Sequence, residues 1–263
     1  MGDSASRKEE IEKNLQLTAI GRNSFAIVAI LANSVREHRI ANRPKKERDF
    51  IYSDDTLNKL WTLIEEIVPN TNYWDRMTRK IFLDMDKNCF FLQPSMNRTQ
   101  SNSYFFFLDE KEEKLNCCEE INLSEHTFNV VSTYLNYFKD KKIFNYSDIE
   151  IVMSCILHDF GKSISLREKR CNLSDTKKKH EEISAFYIER IIREIGVEYK
   201  ELYGSYDKEY LFGKEQMNRI LIAVRDHHLD NNPEESLAKA LQLIDYEARN
   251  QEWHRYKIKR GLQ

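Results

Sequence analysis

Apolar residues recur along most of this chain at spacings of three and four, which is the period of an amphipathic helix. Over residues 57–68 the pattern predicts one such helix, with Asp54 or Asp55 as its N-cap. Further helices are predicted over residues 4–40 and about 71–84. The hydrophobic pattern therefore predicts a mainly α fold.

A different pattern appears near residue 89, where two aromatic runs occupy residues 89–92 and 104–108. Aromatic residues favour strands, and the polar residues 94–102 between the runs are typical of a loop. We predict a small β-hairpin with a long tip in this N-terminal region. Two apolar helix fragments remain the alternative, and residues 109–114 are predicted to form a charged turn.

Five helices are predicted after residue 124, with polar or glycine residues at their ends. Ser124 is the predicted N-cap of the first, and residues 149–157 form the second, an almost wholly apolar helix that we expect to be buried. Gly161 is predicted to end it in the left-handed conformation. A third helix is expected from His180 to Gly196. The residues predicted to begin the last helix are Asn232, Pro233 and Glu235.

The composition supports long helices and sets few limits on function. Only seven glycines and four prolines occur in 263 residues, which disfavours a turn-rich β fold. The length allows two domains, and we predict a boundary that separates residues 1–115, of unassigned role, from residues 116–263. The net charge of −2 gives no global basic field for nucleic acid, although a local basic groove remains possible.

The five cysteines form no C-x-x-C pair, and their number is odd. A reduced, cytoplasmic protein is the simplest interpretation. The N-terminal residues are polar and charged, without a signal-peptide core. The apolar run at residues 25–32 is too short to span a bilayer, so we expect no membrane association.

Histidines cluster at the predicted helix ends. Five of the seven lie there, namely His126, His158, His180, His227 and His228. Asp159 follows His158 directly, and Asp245 lies beside the apolar stripe of the last helix. Imidazole nitrogens combined with carboxylate oxygens suit Zn, Fe, Mn or similar ions, and they form a site of a different kind from a soft thiolate site.

The order of these residues resembles the HD superfamily of metal-dependent phosphohydrolases. The residues that match the family pattern are His126, the run His158-Asp159-Phe160-Gly161-Lys162, and Asp245. The resemblance covers residues 124–248 and implies an HD-type helical bundle. His180, His227 and His228 lie where two-metal phosphodiesterases and nucleases of this superfamily carry extra histidines. The branch that cleaves cyclic dinucleotides has Gly-Tyr-Pro after the histidine pair, and this chain has Leu229-Asp230-Asn231 instead.

The resemblance implies a site for two divalent cations, drawn from Mn, Fe, Mg, Ni, Co or Zn. The expected ligands of the first are His126, His158, Asp159 and Asp245. Asp159 is expected to bridge to a second ion held by His180, His227 and His228. Metal-activated water would then attack a phosphate ester, a nucleotide or nucleic acid. Asp159 would take part in catalysis, and Lys162 and Arg225 are expected to neutralise phosphate oxygens.

Three other functions remain open at this stage. One is a nucleotide phosphatase that uses a single metal, and another is a regulatory module without turnover. The third is a relaxase-like DNA-processing protein, although no histidine cluster precedes His126 and His38 stands alone. The basic residues between 167 and 179 either form a solvated loop or follow a nucleic-acid backbone.

Overall fold

The computed structural model describes residues 52–95, 111–141, 144–163, 166 and 179–262, and this part of the chain contains eight α-helices and no named strand. They are α1 (Asp55–Ile64), α2 (Asn72–Lys87), α3 (Lys111–Glu120), α4 (Leu123–Thr133), α5 (Asp148–Leu157), α6 (His180–Tyr203), α7 (Lys208–Asp226) and α8 (Leu237–Arg260). Shorter helical turns occupy Phe90–Leu92, Tyr134–Phe138, Lys139–Lys141 and Phe160–Lys162. The mainly α fold predicted from the hydrophobic pattern is confirmed.

Helix α5 is the centre of the bundle. Every residue from Ile149 to Leu157 is buried, as expected for a helix with no polar face. Helices α4, α7 and α8 all pack against it. Because its apolar surface must be covered on all sides, the end of α5 lies inside the protein, and His158 and Asp159 are buried with it.

Two helix starts differ from the prediction because another residue supplies the cap. Asn122 caps α4, with its side chain accepting from the Glu125 backbone and Glu125 bonded back to it, so Ser124 is not the N-cap. This capping box places His126 in the first turn of α4. Helix α8 begins after Ser236, whose side chain accepts from the Lys239 backbone, and not at Asn232.

Four other local predictions were wrong. Residues 89–92 are not a strand: Cys89 has a φ of 51° and leads into the turn Phe90–Leu92. Helix α6 does not end at Gly196 but continues to Tyr203, followed by Gly204 with a φ of 75°. Gly161 lies in a short helical turn and is not among the positive-φ glycines of the described residues. The predicted charged turn at residues 109–114 is helical from Lys111 onwards.

Several predictions concern residues outside the described part of the chain. They are the helix over residues 4–40, the second hairpin strand at 104–108 and most of the basic segment between 163 and 179. The division into domains at residue 115 also stays a prediction. Within the described ranges, no helix combines the length and the apolar character needed to cross a membrane.

An ion pair between α5 and α7, with a buried carboxylate and a partly exposed arginine, predicts how stability depends on pH. Glu150 accepts hydrogen bonds from Arg219 (2.6 Å) and from the Ser147 hydroxyl (2.5 Å). Burial alone raises the pKa of Glu150, but the hydrogen bonds from Ser147 and Arg219 lower it below its ordinary value of 4.5. A carboxyl group whose pKa is lowered by folding stabilises the protein above its unfolded pKa, and this contribution is lost as the pH falls through the folded pKa.

We therefore expect Glu150→Gln to lower the free energy of unfolding near neutral pH, with a difference from wild type that shrinks in acid. Urea unfolding at a series of pH values measures this difference. Glu215→Gln is the matched control, because Glu215 bonds to the same Arg219 (2.8 Å) but is largely exposed. A Glu150→Gln difference that stays constant across the pH series would contradict the prediction.

Candidate metal centre

The seven predicted metal ligands lie close together in the structure, and six of them come from helix ends. His126 lies in the first turn of α4, His158 and Asp159 follow α5, and His180 is the first residue of α6. His227 and His228 follow α7, and Asp245 lies within α8. All seven predicted ligands therefore come from elements that pack around α5 or adjoin it.

The first group contains His126, His158 and the two aspartates. His126 Nε2 lies 3.2 Å from Asp245 Oδ1 and 3.5 Å from Asp159 Oδ2. His158 Nε2 lies 3.3 Å from the same Asp159 oxygen and 3.8 Å from Asp245 Oδ1. Two imidazole nitrogens and two carboxylate oxygens thus face a common point in the interior.

The second group contains His180, His227 and His228, whose ligand atoms lie within 4.8 Å of one another. His180 Nε2 is 3.1 Å from His228 Nε2 and 3.4 Å from Asp159 Oδ1. Asp159 therefore turns its Oδ2 oxygen to the first group and its Oδ1 oxygen to the second.

Hydrogen bonds fix the orientation of the buried imidazoles. The Nδ1 atoms of His158 and His227 each lie within 2.8 Å of a backbone carbonyl three residues earlier, Cys155 and Val224. A carbonyl oxygen only accepts, so these Nδ1 atoms carry the proton and leave Nε2 as the ligand atom. His180 Nδ1 lies 3.3 Å from a Glu181 carboxylate oxygen, which favours the same arrangement.

Buried polar atoms without a hydrogen-bond partner test whether a metal fits this site. Among the described residues, such atoms include Nε2 of three histidines and one oxygen of each aspartate: His126, His158, His227, Asp159 and Asp245. Leaving five such atoms without partners would be costly in a protein interior. Nitrogen and oxygen donors in this number and at these spacings suit divalent metal ions, so the residues present fit the implied cofactor.

The electrostatic environment favours the protonation states of metal ligands at His227, His228 and Asp159. Burial lowers the pKa of His227 to about 3 and the pKa of His228 to about 4, so both imidazoles are neutral near pH 7. Burial alone raises the pKa of Asp159, but His158 and Lys162 hold it well below its usual range. Neutral imidazoles and ionised carboxylates are the protonation states that metal ligation requires. Burial alone lowers the pKa of His126, but the Glu252 and Asp245 carboxylates raise it above the ordinary value of 6.5.

The two predicted phosphate contacts differ in position. Lys162 Nζ lies 2.7 Å from Asp159 Oδ2, beside the cluster. Arg225 is half-exposed, and its guanidinium makes two hydrogen bonds to the neighbouring Asp226, at 2.7 and 2.9 Å. Lys162 is therefore among the residues that the structure brings together, whereas the guanidinium of Arg225 is already paired with Asp226. A phosphate contact stays a prediction for both.

The structure adds residues that the sequence pattern did not single out. Glu252 and Arg249 lie on α8 at the same face as Asp245, and Glu252 Oε1 is 2.9 Å from His126 Nδ1. Arg249 lies four residues after Asp245 and Glu252 seven, which are one and two turns along a helix. That spacing was the available signal, since a helix face that carries one ligand also carries the residues one and two turns away.

Gly161 allows the end of α5 to approach the start of α6. A Cβ atom on Gly161 would lie 1.9 Å from the His180 carbonyl oxygen, so even alanine requires the backbone to move. We expect Gly161→Ala to cost about 1–3 kcal/mol of stability and to lower the metal content, because His180 would shift. Thermal unfolding and metal analysis measure both effects.

Gly196→Ala is the control for this substitution. Its Cβ atom would crowd the Tyr210 hydroxyl, at 2.7 Å, in the middle of α6 and away from the cluster. This variant should lose stability and keep its metal content. Equal metal content in the two alanine variants would contradict the role given to Gly161.

Comparison with known protein families finds a match over the part of the chain that holds the site. The family model described as the HD domain matches residues 123–250, a range that includes all seven predicted ligands. Neither a curated protein nor a solved structure matches the chain.

Proposed function

Because residues 123–250 belong to the HD-domain family of metal-dependent phosphohydrolases, we propose that this chain hydrolyses phosphodiesters with two divalent cations. The substrate class we propose is a nucleotide or a nucleic acid. The family match supports phosphohydrolase chemistry in general. The finer assignment to a phosphodiesterase or nuclease depends on the number of cations that the site holds.

One observation carries the two-cation proposal: the Asp159 carboxylate faces a different ligand group with each oxygen. Oδ2 lies 3.3 Å from His158 Nε2, and Oδ1 lies 3.4 Å from His180 Nε2. A bridging carboxylate of this kind joins the paired metals of many hydrolytic sites. The proposed first set is His126, His158, Asp159 and Asp245, and the proposed second set is Asp159, His180, His227 and His228.

Bound cations would supply Lewis-acid charge to the phosphate oxygens and lower the pKa of water near the scissile bond. The protein's own residues supply orientation and access. His126, His158 and His227 are fully buried, whereas the side chains of Asp245 and His180 are 20% and 18% exposed. The substrate would therefore enter on the side of Asp245 and His180. Lys162, 11% exposed, would place positive charge beside a phosphate oxygen there.

The cysteines near the centre support hydrolysis by water without a covalent enzyme intermediate. Cys155 and Cys118 are buried, and burial raises the pKa of both thiols. A thiol with a raised pKa is a weak nucleophile, because the thiolate is the reactive form.

The proposal is tested by comparing a diester with a monoester. Protein stripped of metal by chelation would be supplied with Mn²⁺, Co²⁺, Ni²⁺, Mg²⁺ or Zn²⁺ and assayed on bis(p-nitrophenyl) phosphate and p-nitrophenyl phosphate. We expect at least one metal to restore hydrolysis of the diester in preference to the monoester. Cleavage of the monoester alone would indicate a nucleotide phosphatase, and no cleavage with any metal would indicate a regulatory module. Either result would overturn the proposal.

A further inference from the structure

Glu252 is a buried carboxylate on α8 whose two oxygens are both engaged by donors. Oε1 lies 2.9 Å from His126 Nδ1 and accepts from Asn129 Nδ2 at 2.8 Å. Oε2 accepts from Arg249 at 3.1 Å. Each oxygen therefore already has a partner, and Glu252 is placed to orient a neighbour.

Arg249 holds this carboxylate in place. Its guanidinium donates to the Ser95 hydroxyl at 2.8 Å and to the Ser95 carbonyl oxygen at 3.4 Å. The same group lies 3.9 Å from Asp159 Oδ2. Because the donors of Arg249 are directed at Ser95 and Glu252, this residue is suited to holding the geometry of the site and not to binding a substrate.

His126 needs an orienting side chain because its local backbone does not supply one. His158 and His227 use the carbonyl three residues earlier as the Nδ1 acceptor. The equivalent carbonyl for His126 is that of Leu123, which accepts from the Thr127 hydroxyl at 2.8 Å. The acceptor for His126 Nδ1 comes instead from another helix.

We propose that Glu252 is a positioning residue, which keeps the His126 proton on Nδ1 and thereby presents Nε2 to a cation. An ionised carboxylate only accepts hydrogen bonds, so it selects the ring form with Nδ1 protonated. Nε2 then lies between Asp159 and Asp245, at 3.5 and 3.2 Å. This inference rests on the proposed role of His126 as a ligand and adds a residue outside the family's metal-binding pattern.

The first test measures metal affinity. Replacing a carboxylate that orients a metal-bound histidine usually costs about 10–100-fold in affinity, and we expect that loss in Glu252→Ala for Zn²⁺ in competition with a chromophoric chelator. Glu252→Gln retains one acceptor oxygen and should lose less. Should Glu252→Ala fail to fold, because Arg249 is left unpaired, Glu252→Gln carries the test with an expected loss of several-fold.

The second test follows the imidazole proton itself. In Zn²⁺-loaded protein, heteronuclear NMR should show a protected Nδ1–H signal for His126, assigned by its absence in His126→Gln. Glu252→Ala should remove this signal by exchange with water and leave those of His158 and His227. General loosening of the fold would weaken all three signals together.

Glu247→Ala is the matched control, since Glu247 lies on the same helix and bonds to Gln251 at 3.2 Å. It should bind Zn²⁺ like the wild type. Wild-type affinity in both Glu252 variants, or an unchanged His126 signal in Glu252→Ala, would overturn this inference while the proposed function stands. A wild-type protein that binds no Zn²⁺, Mn²⁺ or Co²⁺ would overturn the proposed function, and with it this inference.

Discussion

Replacement of Asp159 by alanine or asparagine should reduce diester hydrolysis by about 1000-fold or more, which corresponds to about 4 kcal/mol of lost transition-state stabilisation. The reason is that Asp159 contributes to both ligand groups, with Oδ2 beside His126 and His158 and Oδ1 beside His180. Steady-state kinetics with bis(p-nitrophenyl) phosphate measure the change. Metal analysis should show weaker binding of both cations.

The Asp159 variants should still fold. Asparagine has nearly the same volume as aspartate, so the packing at the end of α5 is retained, and circular dichroism should show wild-type helix content. Arg225→Ala serves as a comparison at the edge of the proposed site, and the pairing of Arg225 with Asp226 leads us to expect a smaller loss. If the Asp159 variants fold and keep wild-type activity, Asp159 does not bridge two cations.

The second large effect concerns the number of cations. We expect His180→Ala and His228→Ala each to lower the metal content from two ions per chain to one, because their Nε2 atoms lie 3.1 Å apart in the second group. Diester hydrolysis should fall by about 100-fold or more in each variant, since one cation would remain to stabilise the phosphoryl group.

His254→Ala is the control for these two variants, because His254 is exposed near the end of α8. It should keep both ions and full activity. If His180→Ala and His228→Ala also retained full activity with one bound metal, the second group would not be a metal site and the two-cation proposal would be wrong. Preference for the monoester in the same proteins would then identify a one-metal nucleotide phosphatase.

Most of the clustered residues could be picked out from the sequence because they lie where the helical pattern ends. His158 ends a helix without a polar face, so burial of residues 149–157 carries it into the core. His180 begins α6, and His227 ends α7. The hydrophobic periodicity locates these helix ends without a structure. The packing of the helices around α5 then brings the residues at those ends together.

Other features depended on contacts that no local pattern shows. The run at residues 89–92 has strand-like composition, but Phe90 packs on Phe160 at 4.8 Å between ring centroids and the segment forms a turn. Gly161 is needed for the close approach of His180 and not for a left-handed conformation. The role of Glu252 depends on His126, which is 126 residues earlier in the chain. In all three cases the structure depends on contacts between residues that are distant in the sequence.

Counting bound metal while activity returns shows whether this protein hydrolyses phosphodiesters with two cations. Metal-free protein would be titrated with Mn²⁺, and bound ions per chain would be measured at each point together with hydrolysis of bis(p-nitrophenyl) phosphate. We expect hydrolysis to reach its plateau only when two ions are bound per chain. A plateau at one bound ion, or hydrolysis that persists without metal, would rule out the two-cation function.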